Sequence, residues 1–306
     1  MHDTPEDDWP RRVAILGVGL LGGSVAMSIR RRRPNCVFVG YSRDAARLAG
    51  AVDRGVIGRA TGSIEEACRD ADVVVVATPV DRIAGMVIEA ARHSPAGCLI
   101  TDVGSTKSGI VANVEEDPVA MAKFVAAHPI AGSEKSGSQH AVADLFDGKV
   151  VVLTPQSTEQ MADQVAGTAM VGRADHFWKM TGGTTITMSV ADHDAHLAAV
   201  SHVPHLVSAL VARMVPPAAR SLVGSGWTDI TRVAAGDPEM WTAICRENRT
   251  AIAGELARLA SELDGLRQII QDADDVLLLD WLAHAKRTKE SIQSAPTSGR
   301  RRFDAD

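Results

Sequence analysis

The run Val13-Ala14-Ile15-Leu16-Gly17-Val18-Gly19-Leu20-Leu21-Gly22 carries a short apolar strand into a Gly-x-Gly-x-x-Gly turn, where helical periodicity begins. Gly17 lets the strand turn sharply, Gly19 leaves room for a pyrophosphate to approach the backbone, and Gly22 lets the next helix lie close to the strand. Ser24 to Arg32 reads as that helix, and Cys36-Val37-Phe38-Val39-Gly40 follows as a second strand at β-α-β spacing. The free N–H groups that open the helix suit phosphate oxygens. The pattern implies a dinucleotide site built from Gly17, Gly19, Leu20, Leu21 and Gly22. A plain strand-to-helix connection is the bland alternative.

The end of the second strand decides which dinucleotide fits. A carboxylate there accepts hydrogen bonds from a free ribose 2′-hydroxyl, but the chain reads Tyr41-Ser42-Arg43. A hydroxyl followed by a guanidinium suits a 2′-phosphate, because Arg offers several donors and stacks on adenine. NADP+ is therefore favoured over NAD+. Asp44, one place on, keeps NAD+ open as the ribose ligand of a longer turn.

With 306 residues, 45% hydrophobic and 23% charged, the chain has the composition of an ordinary globular protein with a sizeable core. A formal net charge of −6 speaks against nucleic acid as a partner, since that requires a basic face. The basic run Arg30 to Arg33 ends a helix before Pro34, where cations complement the helix dipole. Cys36, Cys68, Cys98 and Cys245 are far apart in sequence and read as reduced thiols. No run is expected to approach the length of a membrane span, and no apolar segment follows a basic start, so a cytoplasmic protein without a membrane partner is expected.

Polar tails are expected at 1–10 and 293–306. Over 11–174, apolar runs at Asp72 to Ala77, Cys98 to Val103, Phe124 to Ala127 and Val150 to Leu153 alternate with helical stretches, including Gln156 to Arg173. That rhythm predicts an α/β, doubly wound parallel sheet, a Rossmann-type dinucleotide-binding domain. Over 175–292 the texture becomes Ala- and Leu-rich, with helices expected at 183–214, 238–263 and 270–291 and no further sheet. This part reads as an all-α domain whose apolar stripes bind a second subunit, giving a homodimer.

Ligands of doubly wound sheets gather beyond the carboxyl ends of the strands. Three such segments carry polar groups. Thr78 and Pro79 can border a nicotinamide. In Thr101-Asp102-Val103-Gly104-Ser105-Thr106-Lys107, Ser105 can bond a substrate hydroxyl, and Lys107 can offer charge to a carboxylate or pair with Asp102. In Ala127-His128-Pro129-Ile130-Ala131-Gly132-Ser133-Glu134, His128 is the acid or base candidate, since a neutral imidazole accepts a proton near physiological pH.

These segments, taken in order with Ser201-His202-Val203-Pro204-His205 and Asp229-Ile230-Thr231-Arg232, resemble the prephenate/arogenate dehydrogenase family of tyrosine biosynthesis over residues 13–290. The specific stretches are Gly19 to Ser24, Asp102 to Lys107, His128 to Glu134 and Ser201 to His205. The resemblance implies a dinucleotide-binding domain, a helical dimerisation domain, and oxidation of a cyclohexadienol with loss of carbon dioxide. It implies that His128 takes the hydrogen bond of the substrate's ring hydroxyl, that Ser105 helps hold that hydroxyl, and that Arg232 binds substrate. It places Ser201 and His205 in the substrate pocket and Glu134 at its mouth. Tyrosine is implied as a possible inhibitor acting at the active site, because little chain follows residue 290. No metal is implied.

Three other readings compete. A β-hydroxyacid dehydrogenase would want a catalytic lysine in the helical domain, but Lys179 and Lys286 stand in no matching context. A metal-binding protein would use His193, His196, His202 and His205, which fall in pairs at i, i+3 spacing. A non-catalytic NADP(H) sensor would need neither His128 nor Ser105.

Overall fold

The computed structural model describes residues 9–132, 135–155 and 164–294. Its strands are β1 (Arg12–Leu16), β2 (Val37–Tyr41), β3 (Arg59–Thr61), β4 (Val73–Val76), β5 (Leu99–Asp102), β6 (Phe124–Pro129), β7 (Val150–Thr154) and β8 (Thr184–Thr187). Around and after them run α1 (Leu20–Arg32), α2 (Ala49–Asp53), α3 (Ile64–Cys68), α4 (Ile83–His93), α5 (Ser108–Glu115), α6 (Pro118–Met121), α7 (Gln164–Met180), α8 (Val190–Leu197), α9 (Val203–Met214), α10 (Ser225–Thr231), α11 (Pro238–Glu247), α12 (Arg249–Gln271) and α13 (Asp275–Ser294).

The strands form one sheet in the order β3-β2-β1-β4-β5-β6-β7-β8. β1 pairs in parallel with β2 on one side and β4 on the other, so the strand order reverses there and a crevice opens at their carboxyl ends. Alternation along each strand gives the sheet two cores. Val13, Ile15, Val73, Val75 and Leu99 pack with Val25 and Ile29 of α1 and Trp178 of α7. Ala14, Leu16, Val74, Val76 and Ile100 pack with Ile83 and Val87 of α4 and Ile110 of α5. Cover on both faces explains why β4 is four consecutive valines, all fully buried. Trp178 still finds a partner inside, its Nε1–H donating to Thr101 Oγ1 at 3.1 Å.

The doubly wound sheet and the helical second part agree with the sequence expectation, but three details differ. β7 runs antiparallel to β6, with His128 opposite Val152, so the sheet is mixed. The sheet also continues past 174, because α7 crosses that point and β8 pairs with β7. Thr184-Thr185-Ile186-Thr187 holds one apolar residue and lies at the sheet edge, which hid it, and helix starts at Val190 rather than 183. At the amino end Trp9, placed in an expected tail, packs against Phe177 and under the Arg173 guanidinium. Residues 1–8 and 295–306 of the expected tails and residues 156–163 of the expected helix lie outside the described residues, while 293 and 294 belong to α13.

From Val190 to Met214 the helical path is unbroken, α8 passing through a π turn at Ala198–His202 into α9. Contrary to expectation, this 25-residue run is by length and composition apolar enough to cross a membrane. Its inner face is instead packed inside the protein, with His193, Asp194, Leu197 and Ala198 buried. The outer faces of α12 and α13 leave Leu263, Ile270, Leu279 and Leu282 more than half exposed.

Candidate functional site

The crevice beyond β1 and β4 is a cleft of about 360 Å³ lined by Gly17, Gly19, Ser42, Arg43, Thr78 and Pro79 among others. Gly17 has φ +102°, and a Cβ there would stand 2.5 Å from the Ala77 carbonyl oxygen. A Cβ on Gly22 would lie 2.2 Å from the Gly17 carbonyl oxygen, whereas one on Gly19 would meet nothing within 4 Å. Two glycines therefore close the turn and the third leaves it open, the arrangement a pyrophosphate needs. Thr78 Oγ1 is buried at the cleft without a protein partner. Leu20 and Leu21 are half-buried in the first turn of α1, and no side chain caps that helix. These features fit a dinucleotide.

At the adenosine end Arg43 is exposed and Ser42 half-buried. Asp44 is turned back on its own chain: Oδ1 accepts from Ala46 N–H at 3.1 Å, capping a 3-10 turn, and Oδ2 lies 3.4 Å from Arg47 Nε. Arg82, which sequence reasoning missed, lines the same cleft as a second cation.

Farther along the carboxyl edge stands His128, half-buried near the end of β6. Its Nδ1 lies 2.9 Å from His193 Nε2, and His193 Nδ1 lies 2.8 Å from Asp194 Oδ1. The carboxylate of Asp194 also accepts Lys107 N–H at 2.9 Å and Ser108 N–H at 2.8 Å, capping α5 from another helix. Burial works against its charge, but the hydrogen bonds from His193, Ser108 and Lys107 prevail and hold its pKa at about 2. Burial pushes His128 well below the usual imidazole range, and the nearby Lys107 charge pushes the same way, so it is neutral at physiological pH.

Lys107 does not reach out to a ligand. Its side chain is fully buried, with Nζ 2.5 Å from Asp102 Oδ2. Asp102 in turn accepts Gly104 N–H and Ala127 N–H, tying β5 to β6. The substrate-carboxylate role expected for Lys107 is corrected on this ground: a fully enclosed ammonium held on Asp102 presents no N–H at the surface to a ligand. Ser105 is half-buried in the same β5–α5 loop, at the carboxyl edge of the strand beside His128.

A second group sits on the helical side. His205 is buried and stacked on Trp241, with ring centroids 3.5 Å apart. Asn248 Nδ2–H donates to the Asp194 carbonyl at 2.7 Å and lies 3.1 Å from His202 Nδ1, joining this group to the first. Burial lowers the His202 pKa to about 4. Ser201 is half-buried in the π turn. Arg232 opens an exposed 3-10 turn and, among the described residues, pairs with no carboxylate, Asp229 included. Glu134 lies outside the described residues.

The four histidines that spacing suggested as metal ligands are divided: His193 serves His128 and Asp194, His202 meets Asn248, His205 meets Trp241, and His196 is exposed. Sequence reasoning missed His193–Asp194 as a pair for His128. The available signal was an adjacent imidazole and carboxylate just inside a Ser189-capped helix.

The family model for the prephenate dehydrogenase nucleotide-binding domain matches residues 25–186, and that for the prephenate dehydrogenase dimerization domain matches 189–284. Prephenate dehydrogenase of Bacillus subtilis (strain 168) is 30% identical over 288 residues, 92% of this chain and 76% of its own. Cyclohexadienyl dehydrogenase of Zymomonas mobilis is 31% identical over 300 residues, 93% of this chain and 97% of its own. The crystal structure of Aquifex aeolicus prephenate dehydrogenase in complex with hydroxyphenyl propionate and NAD+ superposes with a TM-score of 0.83 at 30% identity, covering 92% of this chain and 98% of that one. With both domains matched in order around a dinucleotide cleft and a neutral histidine, the chain belongs to the prephenate dehydrogenase family of oxidoreductases.

Proposed function

We propose that this protein oxidises prephenate to 4-hydroxyphenylpyruvate and carbon dioxide. The observation that carries the reading is His128 on the same sheet edge as the dinucleotide cleft, joined to Asp194 through His193. A bound NADP+ or NAD+ supplies the two-electron oxidant. The protein's own task is to hold the ring, receive the hydroxyl proton at His128, and leave the departing carboxylate free of a tight ion pair. Ser105 shares the hydroxyl with His128. Burying Lys107 on Asp102 serves the last requirement, since no ammonium then clamps the group that must lose its charge. Arg232, Ser201, His205 and Glu134 are assigned to the rest of the substrate. Initial rates with prephenate and arogenate, each with NADP+ and NAD+, test the proposal: no reduced cofactor in any of the four mixtures overturns it, and a rate with arogenate alone moves the substrate to the amino acid.

NADP+ is the proposed preference, supported by Ser42 and Arg43 at the cleft and by the inward turn of Asp44. Arg43→Ala raises the KM for NADP+ on the order of 10-fold and leaves that for NAD+ within about twofold. Equal changes for both coenzymes defeat the preference. Arg232→Ala raises the KM for prephenate about 10-fold with little change in kcat, the pattern of a group that binds ground state and transition state alike. A KM unchanged in that variant removes Arg232 from the pocket.

The exposed apolar side chains of α12 and α13, within the segment matched by the dimerization-domain model, support a homodimer. Four cysteines outside any disulfide, three of them buried, accord with a reducing cytoplasm. Tyrosine, which shares the product's phenol, is proposed as a ligand of the same pocket.

A further inference from the structure

We propose that His193 and Asp194 are positioning residues that draw the substrate's proton through His128 and set which nitrogen of His128 faces the substrate. This inference rests on His128 acting as the base. The ordering follows from donor arithmetic. Ionised Asp194 only accepts, so the proton on the 2.8 Å contact belongs to His193 Nδ1. In the proposed row His193 carries only that proton, so its Nε2 accepts, and the 2.9 Å contact carries the proton of His128 Nδ1. His128 Nε2 is left with the lone pair. Each tautomer in the row is dictated by the next, and the row ends on a carboxylate pinned by the two amides that open α5.

The transfer balances without further reactants. The substrate O–H bond breaks as its proton joins His128 Nε2, and the Nδ1 proton of His128 passes to His193 Nε2. His128 ends neutral with its proton on the opposite nitrogen, and His193 ends as an imidazolium in contact with Asp194. The charged groups facing this row explain why the second transfer matters. Lys107, from the β5–α5 segment, stands near His128 with its partner Asp102, and His202 stands near from the π turn. A positive charge kept on His128 would face the Lys107 ammonium, whereas on His193 it contacts Asp194 directly.

His193→Gln is the test, because a side-chain amide oxygen can still accept from His128 Nδ1 but cannot carry the proton onward. The expected result is a kcat lowered at least about 10-fold with the KM for prephenate and the coenzyme within about threefold. The dependence of kcat on deuterium fraction, bowed in the wild type where two protons move, becomes linear in the variant. A kcat within twofold of wild type with the bowed dependence retained overturns the proposal. Nitrogen-15 NMR of histidine-labelled wild-type protein gives a second readout that needs no substrate. Protons on Nδ1 of both His128 and His193 support the row, and a proton on His193 Nε2 refutes it. If the wild type turns over neither prephenate nor arogenate but shows the assigned tautomers, the substrate reading fails while the row stands.

Discussion

Replacing His128 by Asn lowers kcat by on the order of 10²-fold or more while the affinity for dinucleotide stays within about twofold. The two effects separate because they belong to different parts of the sheet edge. The coenzyme cleft is lined by residues following β1, β2 and β4, whereas His128 stands on β6 and does not line it. Asn is smaller and offers both an amide NH2 donor group and a carbonyl acceptor, so it can still meet His193 without forcing the strand apart. What it lacks is a nitrogen that binds and releases a proton. Steady-state rates with prephenate, paired with fluorescence titration of NADPH, measure both quantities. A variant that turns over at the wild-type rate removes His128 from the chemistry.

Gly22→Ala is expected to damage binding of both coenzymes together, raising each KM by about 10-fold or more and lowering the thermal midpoint by several degrees. The added methyl would sit 2.2 Å from the Gly17 carbonyl oxygen and 2.9 Å from Ile15 Cγ2. The first obstacle is backbone, which cannot rotate away, so α1 must lift from β1 and carry its phosphate-facing amides with it. Gly19→Ala is the matched control. Its methyl meets nothing within 4 Å, so the protein keeps its thermal midpoint and loses coenzyme binding alone, because the methyl occupies the room the pyrophosphate requires. An unchanged midpoint and unchanged coenzyme KM values in Gly22→Ala contradict the packing argument.

The sequence made the first β-α-β unit legible because strand, glycine turn and helix are each specified locally. The valines of β4 and the apolar runs of β5, β6 and β7 were equally plain, since strands covered on both faces must be apolar throughout. β3 and β8 were missed for the opposite reason: they are the sheet's two edges, and Arg59-Ala60-Thr61 and Thr184-Thr185-Ile186-Thr187 carry little apolar pattern. The reversal of β7 was hidden because strand direction depends on the connection and not on the residues within the strand. In the site, His128 and the cleft residues were legible from their position after apolar strands. The partnership of His128 with His193 was not, because 65 residues separate them and only folding brings α8 against the sheet. For Lys107 the sequence left two roles open, a ligand's carboxylate or Asp102, and only the fold shows that Asp102 lies within its reach.

Asp194 belongs to α8, yet the amides that hold its carboxylate belong to the start of α5. The seam between the nucleotide-binding half and the helical half thus runs through the proposed reacting centre. Heat or denaturant that pries the halves apart will silence turnover first, leaving behind an inert protein that still captures coenzyme.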